Sequence, residues 1–482
     1  MRGGTRDLRG SDACAPGSPV DRQFPTRWSA AAAIALLAVA ATVLLFVTVD
    51  PRMPHTGLLT GGVDLDVYRD GARRAMAGLP LYTEPVIHGL LYTYTPFSTL
   101  TFVPVELLPH GIDKYLWMGF NLVLLAGIVA LCWRMLGYRV TGRVVGLSAL
   151  LAVASVFLEP VRTTLYFGQV NLVLMLLVLW DTSRGAESRL RGVGVGIAAG
   201  IKLTPAYFVL YYLALRQWRA AAVSAVTVLA TVAVSWVALP TDSRQYWTAT
   251  FFDSTRIADD AHAANQSLRG ALARILGEPA PTWLWLLLAA LVVAVSMWVV
   301  VRLHRRGEAL LAVTLAGFTA AVVSPFSWSH HWVWFVPLLV WLVHRALTNG
   351  WWWLGVLALF GAVGSWSHRF PDDRVVVGLY LFPADRVPWD VLVNLYLVAY
   401  AVILVGAAVV RSPHDRTPGP ALAGGAGEPD ARLVWPASRV SEPAHQAVGM
   451  SSSHSGATSS ARSSSATTGD GNQFGRPPSR VT

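Results

Sequence analysis

Cysteine is almost missing from this chain: Cys14 lies in a polar N-terminal stretch, Cys132 lies in an apolar run, and the 482 residues hold no others. Two cysteines so placed exclude a disulfide framework and a cysteine-rich zinc site. Charge is scarce too, at 14% of residues. No His-Glu-x-x-His, Walker loop, Gly-x-Gly-x-x-Gly or serine-nucleophile elbow occurs, which argues against proteases, ATPases and dinucleotide enzymes. What is abundant is apolar: 54% of residues are hydrophobic, 20 are Trp, and mean hydropathy is clearly positive. That composition describes a polytopic membrane protein. The net charge of +10 then reflects Lys and Arg held in cytoplasmic loops, since nothing resembles a nucleic-acid module.

A helix needs about 20 apolar residues to cross a bilayer, fewer with polar ends. On that criterion spans are expected near 28–49, 115–136, 144–158, 165–180, 192–204, 206–215, 220–239, 283–303, 309–323, 332–343, 351–366 and 391–410, about twelve in all. The run at 28–49 lacks a convincing cleavage site and reads as a retained first helix. With the N-terminus inside, the inner connections 137–143, 181–191, 216–219, 302–308, 344–350 and the tail from Arg411 each carry Arg. The outer connections 50–114, 159–164, 240–282, 324–331 and 367–390 hold most of the acids, histidines and polar motifs, so charge and hydropathy agree on one orientation. Residues 1–27 form a polar cytoplasmic tail, 28–411 the transmembrane domain, and 412–482 a Pro-, Gly-, Ser- and Thr-rich cytoplasmic tail that cannot offset its ordering entropy. The piece 97–108 is too short to span and predicts an interfacial or re-entrant helix.

Polarity at membrane depth is a functional signal by default. In Val63-Asp-Leu-Asp-Val-Tyr-Arg-Asp70, followed by Gly78-Leu-Pro-Leu-Tyr82, the acids read either as the first turn of an interfacial helix, favoured by its dipole, or as a base that takes a proton from a sugar hydroxyl. Tyr92-Thr-Tyr-Thr-Pro-Phe97 fits an aromatic belt or a sugar-stacking surface, with Tyr68 and Tyr94 as substrate candidates. Gln169 and Asn171 open an apolar run, where helix–helix hydrogen bonding competes with substrate binding. Lys202, in Gly200-Ile-Lys-Leu-Thr-Pro205, is about ten residues from either basic boundary, too far to snorkel readily, and suits a phosphate in a cavity lined by a broken helix. In Asn265-Gln-Ser-Leu-Arg-Gly270, Arg269 is a forked phosphate ligand or a solvated loop residue, with Asn265 and Gln266 beside it. His330 and His331 are adjacent rather than three or four apart, which suits hydrogen bonding to phosphate or sugar better than metal ligation.

In this order, from residue 28 to 411, these motifs resemble glycosyltransferase family 87: integral-membrane α-mannosyltransferases of the GT-C superfamily, dependent on polyprenyl-phosphate mannose, from the actinobacterial cell envelope. Within that family the chain is most similar to the α-(1→2)-mannosyltransferases that elaborate lipomannan and lipoarabinomannan. The resemblance implies an all-α membrane fold with about twelve transmembrane helices and a large first extracytoplasmic loop. It implies Asp64 as the catalytic carboxylate with Asp66 in reserve, and one of His330 and His331 near the donor phosphate. It also implies inversion from a β-linked lipid phosphate to an α-linked product. The partners expected are the lipid-linked donor, a mannan or mannosylated glycolipid acceptor and membrane lipids, with no nucleic acid. No nucleotide and no obligatory metal are expected, a divalent ion being left open. The competing expectation, a transporter or flippase of lipid-linked sugars, calls for internal repeats that the sequence does not display.

Overall fold

The computed structural model describes residues 24, 28–87, 89–253, 256–277, 279–383 and 389–410. The chain separates into Met1–Thr417 and Pro418–Thr482. The expectations for residues 1–23 and for the tail beyond 410 lie outside the described residues.

The first unit is helical. In chain order its helices are α1 (Trp28–Thr48), α2 (Val63–Ala77), α3 (Pro96–Glu106), α4 (Asp113–Met135), α5 (Gly142–Ser155), α6 (Glu159–Phe167), α7 (Asn171–Thr182), α8 (Val193–Ile201), α9 (Tyr207–Ala214), α10 (Trp218–Ala238), α11 (Pro240–Thr248), α12 (Leu268–Leu276), α13 (Thr282–Arg305), α14 (Ala309–Val323), α15 (Phe335–Thr348), α16 (Trp352–Val363), α17 (Trp389–Leu392) and α18 (Leu395–Val409). A short antiparallel hairpin pairs Ser367–Arg369 with Val375–Val377. Among the described residues four helices, α1, α4, α10 and α13, are long and apolar enough to cross a membrane, and the pair α6 and α7 makes a fifth if counted as one bent span. Four more, α5, α14, α16 and α18, are apolar but shorter. These helices make the chain a membrane protein. At the centre stands α14, buried at every position from Leu310 to Val322. It is joined to its neighbours by a buried hydroxyl chain, Ser296 on α13 to Thr319 at 2.6 Å and Thr319 to Tyr400 on α18 at 3.0 Å, the interhelical bonding expected where hydrocarbon offers no partner.

Four expected spans are corrected. The run 165–180 is not one helix: α6 and α7 meet at 120°. Gly168 at the corner has φ 73°, and a Cβ there would stand 2.8 Å from that of Leu65, so only glycine meets both demands. The runs 192–204 and 206–215 are two arms of a hairpin, nine and eight residues long, roughly 12–14 Å each at 1.5 Å per residue and too short to cross hydrocarbon about 30 Å thick. Both arms start from Asp181 at the end of α7: its carboxylate accepts from the Gly192 N–H (2.8 Å) and the Tyr212 hydroxyl (2.8 Å). The hairpin tip, at Lys202 to Thr204, therefore stands beside Asn171 at the other end of α7. The last correction is 332–343, where a 3-10 turn, Ser329–Trp332, delays the helix to Phe335.

The expected re-entrant piece is α3, with Pro104 inside it and Thr95 as its cap. Arg69 clamps α2 to the segment after α3: it donates to Glu106 Oε2 (3.0 Å), to the Glu106 and Leu108 carbonyls (3.1 and 3.0 Å) and to Asp113.

Candidate active site

Helix α2 starts directly after Gly62, whose φ of 124° turns the chain into it. Asp64 falls in its first turn, outside the apolar helices. There it receives a hydrogen bond from Gln169, Nε2 to Oδ2 at 2.5 Å. Gln169 sits on the α6–α7 corner and spends its other end on two phenols: Tyr68 donates to Oε1 at 2.8 Å and Tyr94 at 3.4 Å, the two hydroxyls being 2.9 Å apart. Those two donors on the oxygen fix the amide so that its N–H faces Asp64. Burial pushes the Asp64 carboxyl up to about 6, and the Gln169 bond and the Lys202 charge only partly offset it. Desolvation winning over an adjacent cation is the pattern of a tuned catalytic acid or base.

Lys202 is extended backbone between the hairpin arms. The carbonyls freed by that break, Gly200 and Ile201, accept from the Thr95 hydroxyl, which accounts for the Tyr-Thr-Pro part of the second motif. Lys202 Nζ donates to Asn171 Oδ1 (3.3 Å) and His331 Nε2 (2.9 Å) and lies 5.2 Å from the Tyr94 ring centre. An ammonium has three N–H groups and no lone pair, so His331 accepts at Nε2 and carries its own proton on Nδ1. That Nδ1 has no partner among the described residues, and neither has Nε2 of His330. Burial and the Lys202 charge hold both imidazoles well below their ordinary range, hence neutral. Lys202, Asn171 and His331 line one partly open cleft, with Met175 and Trp334 among the apolar walls. Buried ring nitrogens without partners, around a cation and beside a raised carboxyl, suit an anionic ligand.

The remaining expected residues divide. Asp66 lies two positions along α2 from Asp64, about 200° round the helix at 3.6 residues per turn, and so turns away from Gln169. Asp70, the third acid, pairs with Arg73 and Arg74. Asn265 and Gln266 are framework: Asn265 accepts from the Ser327 N–H (3.1 Å), the Gln266 N–H donates to the Ser327 carbonyl (2.7 Å), and the Gln266 amide donates to the Val393 carbonyl (2.7 Å). They hold the segment that leads into the histidines. Arg269 is engaged by Asp260 (2.7 Å) and lies over the Trp285 ring, apart from the Lys202 group. Among the described residues, no three His, Cys, Asp or Glu side chains gather as a metal-ligand set. A residue the sequence reading missed is Glu159, buried at the start of α6 and bonded by four hydroxyls. The available signal was an acid between two apolar runs.

The model of glycosyltransferase family 87 matches residues 92–325. The chain is 37% identical, over 74% of its length and 88% of the relative's, to the polyprenol-phosphate-mannose-dependent α-(1-2)-phosphatidylinositol pentamannoside mannosyltransferase of Mycolicibacterium smegmatis. It is 36% identical to the protein of the same description from Mycobacterium tuberculosis, over 70% and 80% of the two chains. A more distant relative, at 26% identity over 71% and 82%, is an α-(1→3)-arabinofuranosyltransferase of Corynebacterium glutamicum. No solved structure matches. On the extent of the two mycobacterial matches, the chain belongs to glycosyltransferase family 87.

Proposed function

We propose that this chain transfers mannose from polyprenyl-phosphate mannose to a mannosylated glycolipid, forming an α-(1→2) linkage with inversion. The observation that carries this reading is the Asp64–Gln169 contact beside the Lys202–His331 pair: a partly buried carboxyl raised to about 6 next to a cleft lined by Lys202 and by His331, whose Nδ1 has no partner among the described residues. The 2-hydroxyl of the acceptor mannose attacks the anomeric carbon, the bond from that carbon to the donor's phosphate oxygen breaks, and the hydroxyl proton passes to Asp64. The departing polyprenyl phosphate gains negative charge, which Lys202 and the Nδ1–H of His331 stabilise. One base suffices, so no covalent glycosyl-enzyme forms. Tyr68, Tyr94 and Gln169 hold the base in direction, and Asn171 holds the cation and the histidine turn.

The relatives named as α-(1-2)-mannosyltransferases support the sugar and linkage, and their phosphatidylinositol mannoside substrates supply the acceptor class. Both termini are cytoplasmic in this reading, residues 28–411 form a GT-C catalytic domain in a cell membrane with about ten crossings once the non-spanning α8–α9 hairpin is set aside, and the site opens to the extracytoplasmic face. The relatives named as mannosyltransferases favour transfer over transport. Incubating purified full-length protein with radiolabelled polyprenyl-phosphate mannose and a phosphatidylinositol mannoside tests it. Label should move to the glycolipid; binding or flipping without transfer, or use of an arabinofuranosyl donor instead, would sink the reading.

A further inference from the structure

Glu159 lies outside the transfer group, yet it is among the most heavily bonded side chains of the described residues, at 1% exposure. Its Oε1 accepts from Thr163 (2.6 Å), Ser329 (2.9 Å) and Tyr380 (3.0 Å), and its Oε2 from Tyr396. These hydroxyls come from α6, the histidine turn, the 3-10 turn Leu379–Leu381 and α18. Among the described residues, it makes no ion pair within 4.0 Å, so its direct partners are hydroxyl donors, with the buried Arg162 charge acting at longer range. An apolar side chain would tie the same segments together without the cost of burying a carboxyl. What the carboxyl adds is direction, since three hydroxyls converge on one oxygen.

One of the three is decisive for position. Ser329 immediately precedes His330, and the His330 carbonyl accepts from Thr164 (3.3 Å), the neighbour of Thr163, and from Asn171 (2.9 Å). The turn Ser329–Trp332 is therefore gripped at its first two residues by α6 and the start of α7, and the grip on its leading side chain is Glu159. The two ring nitrogens without partners, His330 Nε2 and His331 Nδ1, follow directly.

We infer that Glu159 is a positioning residue for the donor-phosphate site: through Ser329 it sets the turn from which His330 and His331 present their unpaired nitrogens. The inference rests on the transfer reading above. Ser329→Ala cuts the hydroxyl contacts that tie the turn to Glu159 and Tyr380, whereas Thr163→Val removes a hydroxyl from the same Glu159 oxygen that bonds Glu159 rather than the turn. Steady-state transfer is measured for the full-length protein and for both variants, with Glu159→Gln and Glu159→Ala, varying donor and acceptor separately and recording thermal melts. Ser329→Ala should raise the donor KM about 5- to 10-fold, as expected for one or two weakened hydrogen bonds, with the acceptor KM unchanged. Thr163→Val should shift the donor KM by less than half of that, and Glu159→Gln should retain more donor affinity than Glu159→Ala. An unchanged donor KM in Ser329→Ala, an equal shift in Thr163→Val, or lowered melting temperatures with no change in donor KM would overturn the inference. A wild-type protein that transfers nothing would instead overturn the transfer reading, and this inference with it.

Discussion

Gln169 donates to Asp64 at 2.5 Å across 105 positions of sequence. It is directed there because its other end is occupied by Tyr68 and Tyr94. The contact joins the first helix after the leading span to the corner between α6 and α7, and the chemistry proposed for this chain depends on it.

Replacing Asp64 by Asn keeps the shape and removes the base. Transfer should fall by about 10²–10⁴-fold, the usual worth of general base catalysis, while donor binding, measured by titration, stays within a few-fold. Asp66→Asn, facing away on the helix, should be milder; the reverse order would move the role to Asp66.

The pH dependence follows from the raised carboxyl. Asp64 accepts a proton only when ionised, and its pKa of about 6 lies above the ordinary value of 3.8. The transfer rate should therefore climb as pH rises through about 6 and level off above it. Gln169→Leu removes a contact that lowers the pKa, so its acidic limb should move to higher pH. A limb that stays in place would separate Asp64 from the rate.

Lys202→Met removes the cation from the cleft. The donor KM should rise by about 10- to 100-fold, the scale of a lost charge-assisted contact of about 1.5–3 kcal/mol. A donor titration identical to wild type would return Lys202 to a structural role.

Asp181, fully buried, ties both arms of the α8–α9 hairpin to α7. Asp181→Ala leaves the Gly192 N–H and the Tyr212 hydroxyl unsatisfied and should cost about 2–4 kcal/mol of stability. A thermal melt in detergent measures this, and an unchanged melting temperature would show the hairpin to be held by packing alone.

Hydropathy located most of the apolar helices to within a few residues, because twenty-residue apolar runs have few other uses. It failed where backbone geometry, not side-chain character, ends a helix. The corner at Gly168 sits inside a largely apolar run, and the Lys202 break looked like a loop between two spans rather than a hairpin tip. Residue type identified Asp64, Gln169, Asn171, Lys202 and the histidines, and the fold brings these together. Arg269 has the same chemical type as a phosphate ligand, but Asp260 engages it, and no local pattern reveals a partner nine residues away in a loop. Glu159 escaped notice because its four partners come together only in three dimensions.

Linkage and anomeric analysis of the product made from β-linked polyprenyl-phosphate mannose by the wild type and by Asp64→Asn tests whether Asp64 is the base of an inverting α-(1→2) transfer. The wild type should yield a single new α-(1→2)-linked mannose and the variant essentially none. A β-linked product, a linkage to another hydroxyl, or undiminished transfer by Asp64→Asn would contradict this mechanism.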